Sequence, residues 1–269
     1  MAVFAQITDL HLRPPGTLTL GRVDADRFAA AAIDAVILRH ADVDAVLVTG
    51  DITDLGEEEA YARAAMLLSR FAVPVLVAPG NHDRLAPFRD AFLAWPGIAE
   101  PAVPQKACHA ARFGDVTVVT LDTAVDGADH GELGPEQLAW LDGTLAAAET
   151  AIVAMHHPPF PVGIGFMDRI GLLDAEAFAR VVGRHPQVKR IVCGHVHRVI
   201  IGDVAGVAAV AIPGVAHQVT LALGEGAVAA MVMEPPAYAI HTVEAGRATT
   251  HLGYVGTFGG PIPFAGGDR

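Results

Sequence analysis

An α/β fold built around parallel strands is what this sequence predicts, and three observations predict it. Over the first 200 residues, runs of β-branched and aliphatic residues alternate with amphipathic stretches of helical length, the order that yields a sheet covered by helices. Five of those runs end in a polar residue able to hold a cation or move a proton: 2–8 leads into Asp9 and His11, 45–49 into Gly50-Asp51, 73–78 into Pro79-Gly80-Asn81-His82-Asp83, 151–155 into His156, and 190–193 into Gly194-His195-Val196-His197. Ligands of open α/β sheets collect just beyond the carboxyl ends of the strands, so these side chains are expected at one functional edge. Finally, an apolar content of 52% over 269 residues suffices for a sizeable core, as one large domain or one domain with an appendage.

Taken in order, the first strand begins almost at residue 1, with no basic segment and apolar leader ahead of it, which predicts a cytoplasmic protein. Helices are expected over 24–40, 57–71, 85–95, 135–149 and 174–185. Acidic residues open them, and Pro135 suits a first helical position because no N–H is needed there. The runs 109–113 and 116–121 flank Gly114-Asp115 and predict an antiparallel hairpin. Beyond His197 only strand-like runs follow, at 207–212, 219–223, 227–233, 238–243 and 249–255, separated by Gly and Pro. They should either complete a second sheet or project as a hairpin against another subunit, and so much apolar strand favours a homodimer. The expected division is a catalytic core over 1–200, with 201–269 adding the remaining core strands and a β-rich cap or dimerisation segment. The Gly- and Pro-rich end after Gly256 is expected to be loosely held.

Composition narrows the partners. The net charge is −12, from 18 basic and 30 acidic residues, and Lys106 and Lys189 are the only lysines. No basic stripe exists to follow a nucleic-acid backbone, which argues against polymeric DNA or RNA. The apolar stretch 204–233 is interrupted by Gly206, Pro213, Gly214, Gln218 and Glu225, so it does not give the roughly 20 uninterrupted apolar residues of a membrane span. Cys108 and Cys193 lie in apolar runs and are expected as buried free thiols.

The strand-end residues have the chemistry of a cation site. Asp9 and His11, like His195 and His197, are two apart, a spacing that on an extended chain places both side chains on one face. Asp51 follows a glycine that permits a sharp exit from its strand, and its two oxygens can each hold a different cation, so it is assigned as the bridge. Asn81 and His156 complete seven oxygen or nitrogen donors without a thiolate, a set suited to two ions of Zn, Mn, Fe or Co. Two such ions about 3.5–4 Å apart hold a hydroxide at neutral pH and clamp a phosphoryl centre. Four positive charges less those of Asp9, Asp51 and one hydroxide leave about one, enough to draw a small phosphate anion into an acidic protein. His82 is the candidate general acid for the departing alkoxide, with Asp83 as its orienting partner. His217, after Pro213-Gly214, is the candidate contact to a non-bridging phosphate oxygen. His157 is expected to point away from the ligand set and brace its loop, and 160–168 to line the leaving-group pocket.

With these residues in view, the sequence resembles the calcineurin-like metallophosphoesterases, and within them the class III cyclic nucleotide phosphodiesterases and the binuclear glycerophosphodiesterases. The resemblance rests on Thr8-Asp9-Leu10-His11, Gly50-Asp51-Ile52-Thr53-Asp54-Leu55-Gly56, Pro79-Gly80-Asn81-His82-Asp83, His156-His157-Pro158-Pro159, Gly194-His195-Val196-His197-Arg198 and Pro213-Gly214-Val215-Ala216-His217-Gln218. It implies that Asp9, His11 and His197 hold one metal, that Asn81, His156 and His195 hold the other, and that Asp51 bridges them. It also implies a four-layered α/β/β/α sandwich and a phosphodiesterase acting on 3′,5′-cyclic nucleotides such as cAMP or on glycerophosphodiesters. A nuclease or phosphomonoesterase of the same superfamily, or a non-catalytic scaffold on this fold, is the alternative.

Overall fold

Period-two alternation divides each central strand between two cores. In β2 (Ala45–Thr49), Ala45 and Leu47 pack into one apolar cluster while Val46 and Val48 pack into another. β6 (Thr150–Ala154) divides likewise, with Ile152 and Ala154 on one side and Ala151 and Val153 on the other. A strand buried on both faces has to lie between two layers, so this pattern builds a sandwich.

The structure is a computed structural model that describes residues 1–260 and Ile262. Its first sheet contains β1 (Ala2–Ile7), β2, β3 (Val75–Ala78), β12 (Ala237–Glu244) and β13 (Arg247–Tyr254), in the order β13-β12-β1-β2-β3. The second contains β4 (His109–Phe113), β5 (Val116–Thr120), β6, β7 (Val188–Cys193), β8 (Ile200–Val204) and β9 (Val207–Ala211), in the order β4-β5-β6-β7-β9-β8. β1, β2 and β3 run parallel, as do β5, β6, β7 and β9. The sheets meet through Phe4, Leu47, Leu76, Val118, Ile152 and Val192. Helices α1 (Ala25–Arg39), α2 (Glu58–Leu68) and α3 (Leu85–Phe92) cover the first sheet. α4 (Gly134–Ala146), the short α5 (Gly165–Asp168) and α6 (Ala175–Val182) pack on the second, which gives the four-layered α/β/β/α sandwich.

Local chemistry sets the helix ends. Asp24 accepts the Arg27 backbone N–H and caps α1. Pro135 stands in the first turn of α4, where the Asp174 carboxylate accepts the Leu133 and Gly134 N–H groups.

The late segment departs most from expectation. The runs 238–243 and 249–255 form a long hairpin that extends the first sheet, and 207–212 completes the second. Of 219–223 and 227–233 only β10 (Gln218–Val219) and β11 (Met231–Val232) are strands, paired to each other, while Leu221, Leu223 and Val228 between them are exposed. The edge strand β8 was not expected, because Gly202 and Asp203 mask its alternation. The loose end expected after Gly256 falls partly outside the described residues. Among the described residues no helix is long and apolar enough to cross a membrane.

Candidate metal centre

The parallel strands of both sheets point their carboxyl ends at one rim. β1, β2 and β3 deliver Asp9 and His11, Asp51, and Asn81; β6 and β7 deliver His156, and His195 and His197; the turn after β9 delivers His217. All seven predicted ligands meet there. His197 Nε2 lies 3.2 Å from Asp9 Oδ1, and His11 Nε2 3.6 Å from Asp51 Oδ2. On the other side of Asp51, His156 Nε2 is 3.3 Å from the same Oδ2, and Asn81 Oδ1 is 3.1 Å from His156 Nε2 and 3.0 Å from His195 Nδ1. Asp51 therefore stands between two groups of donors.

The backbone makes this convergence by a different route from the extended chain inferred above. Asp9, His11, Asp51, His195 and His197 all have positive φ, between 45° and 68°, so these five candidate ligands sit in left-handed turns beyond the strands. Each such non-glycine residue costs about 1–3 kcal/mol, and strain of this kind clusters at functional sites. Glycines admit the close approach: a Cβ on Gly80 would lie 2.2 Å from Asp51 Oδ1, and one on Gly194 2.1 Å from Thr8 Oγ1.

The hydrogen bonds behind the ligands fix which nitrogen faces the rim. His156 Nδ1 donates to the Thr49 carbonyl and His197 Nδ1 to the His217 carbonyl, both at 2.8 Å, while His11 Nδ1 donates to Asp54 Oδ1 at 3.3 Å. With Nδ1 so committed, each Nε2 turns a lone pair inward. His11 Nε2 and His197 Nε2 are 3.1 Å apart. A shared proton or a cation between the two nitrogens accounts for that distance. Asp9 Oδ2 and His217 Nδ1 are buried here without a hydrogen-bond partner. Residues with ligand atoms close enough to hold an ion include Asp9, His11, Asp51 and His197 together. An all-oxygen-and-nitrogen donor set of this kind fits divalent cations.

Electrostatics agree. Burial alone would push the Asp51 carboxyl up, but the imidazoles of His156 and His82 hold it well below the usual carboxylate range. Burial opposes charge on His156 as well, yet Asp51 holds its pKa up at about 9. The rim thus attracts positive charge. His217, by contrast, is pushed down to about 3 by burial and then by His197 and His11, so its ring is neutral.

His82 lies beside this cluster, its ring 4.7 Å from that of His11. Its Nδ1 donates to the Asp54 carbonyl at 2.8 Å, and Asp51 Oδ1 accepts its backbone N–H. Asp83 does not orient it. The Asp83 carboxylate is buried and accepts the backbone N–H groups of Ile52, Thr53 and Gly80 and the hydroxyls of Thr53 and Tyr61. It fastens the Asp51 loop to the Asn81 loop, because a carboxylate at that point meets only donors. His157 does not turn away from the ligands either: its ring is 4.4 Å from that of His195. Both its nitrogens are nevertheless taken, by Thr123 Oγ1 and the Asp129 carbonyl, so it braces the loop. In 160–168, Ile164 is buried and Phe166 packs on the second core.

Two residues that matter here carried no assigned role in the sequence, Thr49 and Asp54, which hold His156 and His11, and Asp83 acts as a clamp in place of the orienting role expected of it. For Asp54 the available signal was its place three residues after Asp51 in one tight turn.

Comparison with known proteins places this geometry. The family described as calcineurin-like phosphoesterase matches residues 2–199. A protein of Arcobacter nitrofigilis named "Probable glycerophosphodiester phosphodiesterase GpdQ" is 32% identical over 97% of this chain and 96% of its own. The 3′,5′-cyclic adenosine monophosphate phosphodiesterase CpdA of Vibrio vulnificus is 35% identical over 72% of this chain and 69% of its own. Among solved structures, a dimetal phosphatase from Danio rerio superposes with a TM-score of 0.66 at 17% identity, over 93% of this chain and 98% of that one, a likeness of fold. With its motifs gathered at one rim of a four-layered sandwich, the chain belongs to the calcineurin-like phosphoesterase family.

Proposed function

We propose that this protein is a metal-dependent phosphodiesterase that hydrolyses small phosphodiesters, 3′,5′-cyclic nucleotides such as cAMP or glycerophosphodiesters, at a site for two divalent ions. The observation that carries this reading is the set of imidazoles from both sheets with Nδ1 tied outward and Nε2 aimed at the carboxylates of Asp9 and Asp51. Asp9, His11 and His197 would hold one ion, Asn81, His156 and His195 the other, and Asp51 both. Mn, Fe, Zn and Co all suit these donors. When bound, the ions supply a nucleophile at neutral pH and charge stabilisation at the phosphoryl oxygens.

The chain's own groups do the rest. Asp54 keeps the His11 proton on Nδ1. His82 commits Nδ1 to the Asp54 carbonyl, which leaves Nε2 to carry the proton the leaving alkoxide needs. His217 is neutral, with Nδ1 unpartnered, and suits a contact to a non-bridging phosphoryl oxygen. The acidic surface and the names of the relatives support a small diester over a polymeric nucleic acid.

The same reading takes 1–200 as the catalytic core and 201–269 as closing strands plus a cap. It makes the protein a homodimer, supported by the exposed Leu221, Leu223 and Val228 between β10 and β11. A cytoplasmic location is supported by two buried free thiols. The test is chelation: hydrolysis of bis(p-nitrophenyl) phosphate disappears on metal removal and returns with Mn(II) or Co(II). Hydrolysis indifferent to chelation would refute the proposal. Equal concentrations of cAMP, cyclic GMP, glycerophosphoethanolamine and a monoester, followed by product analysis, then identify the substrate.

A further inference from the structure

The interface between the two sheets is largely apolar; besides Arg190 of β7, which donates to the Ala248 carbonyl of β13, it holds a buried polar chain one layer below the rim. Parity places Gln6 of β1 on the inter-sheet face with Ala2 and Phe4, where an aliphatic residue would be expected. Gln6 is fully buried. Its Nε2 donates to Thr49 Oγ1 at 2.8 Å in its own sheet and to the Cys193 carbonyl at 3.0 Å in the opposite sheet. Its Oε1 lies 2.9 Å from His241 Nε2 on β12, whose Nδ1 lies 3.0 Å from Thr250 Oγ1 on β13.

The bonding is determined end to end. A carbonyl accepts only, so the amide nitrogen faces Cys193 and the amide oxygen faces His241. His241 must then carry its proton on Nε2, leaving Nδ1 to accept the Thr250 hydroxyl. Burial and the nearby Arg190 push His241 down to about 3, so the ring is neutral and both its nitrogens are paired. Replacing such a network by apolar side chains is often neutral for stability, so its presence calls for another account.

The two acceptors of Gln6 supply one. Cys193 directly precedes Gly194-His195-Val196-His197, and the Thr49 carbonyl holds both His156 Nδ1 and Thr8 Oγ1. The ligands are divided between the sheets: Asp9, His11, Asp51 and Asn81 come from one, and His156, His195 and His197 from the other. Apolar contact is non-directional and permits small slides of one sheet over the other. A hydrogen bond across the gap does not.

We infer that Gln6, oriented by His241, is a positioning residue that fixes the offset between the sheets so that the two halves of the ligand set meet at one height. The inference rests on the two-ion reading of the rim, but it can be measured without an ion. The test is the double variant Gln6→Leu/His241→Phe, which removes the chain and leaves apolar side chains. It should keep the wild-type circular dichroism and melt within a few degrees of wild type. Its metal-free crystal structure should show the His156–Thr49 and His195–Asp9 contacts across the gap lengthened. Titration with Mn(II) should show affinity reduced tenfold to a hundredfold, as for other residues behind metal ligands. If the double variant does not fold, Gln6→Met alone serves, since it keeps the length of the side chain and removes the amide donor to the Cys193 carbonyl across the gap; the same weakening is expected. Wild-type cross-sheet contacts in the metal-free variant, or unchanged Mn(II) affinity, would overturn the inference. Failure of the wild-type protein to bind two ions would instead overturn the reading of the rim, and the metal-free contacts would still decide the role of Gln6.

Discussion

The Asp83→Asn substitution isolates what the buried clamp between the two ligand loops is worth. Asp83 Oδ2 accepts Ile52 N–H at 3.1 Å and Gly80 N–H at 2.9 Å, while Oδ1 accepts Thr53 N–H at 3.0 Å and two hydroxyls. An amide can keep only one of these oxygens. If its NH2 replaces Oδ2, two backbone N–H groups face a donor; if it replaces Oδ1, only Thr53 N–H does, since hydroxyls can turn and accept. The second orientation is favoured and leaves one buried N–H unpaired, about 1–3 kcal/mol. Loss of the charge assistance on the surviving bonds brings the expected total to about 3 kcal/mol. Asp83→Ala strands three backbone N–H groups and should cost about 4–6 kcal/mol, close to the stability of many domains. Asn is therefore the informative change. Urea unfolding in chelator, followed by the fluorescence of Trp95 and Trp140, measures it free of metal. With metal present, ion affinity weakened tenfold to a hundredfold adds about 1–3 kcal/mol to the apparent loss. An Asp83→Asn protein with the wild-type urea midpoint and wild-type metal affinity would refute the clamp.

Three further outcomes are expected. His82→Ala should lower kcat about 10²–10⁴-fold for diesters that release an alkoxide, but far less for bis(p-nitrophenyl) phosphate, whose leaving group needs no proton; equal losses on both would exclude the general-acid role. Gly80→Ala should abolish tight metal binding while leaving circular dichroism unchanged, since its Cβ would meet Asp51 Oδ1 at 2.2 Å and His156 Cε1 at 2.8 Å; two ions found bound at wild-type affinity by calorimetry would contradict this. His109, outside the candidate ligand set, is buried with neither ring nitrogen hydrogen-bonded, and burial pushes its pKa from 6.5 to about 4. The unfolded chain takes up the proton first, so this residue's contribution is complete above pH 6.5 and is lost as pH falls toward 4, about 2–3 kcal/mol by pH 4.5. His109→Leu should flatten the stability curve over that window by that amount, and an unchanged slope in urea titrations would remove the explanation.

Much of the site was legible because its information is local. A candidate ligand that follows an apolar run inherits its place from the strand, since parallel strands end at a common edge. Asp9, His11, Asp51, Asn81, His156, His195 and His197 are all of this kind. The apolar runs of β2 and β6 likewise mark buried strands in the sequence itself. Beyond residue 218 the alternation misled: 219–223 and 227–233 have strand composition, but Gly224 and Gly226 and the exposed leucines leave only two paired residues on each side.

The sequence by itself determined the alternation of strands and helices, the strand ends and the donor atoms available there, because these follow from side-chain type and spacing along a few residues. Tertiary structure alone decided which acceptor holds each imidazole, that Asp83 joins two loops and leaves His82 to Asp54, and that Gln6 reaches from one sheet to the other. Those bonds join residues such as Thr49 and His156, 107 positions apart, or Gln6 and Cys193, 187 apart. A hydrogen bond needs atoms placed to within a few tenths of an ångström, and over such separations only the packed fold supplies that placement.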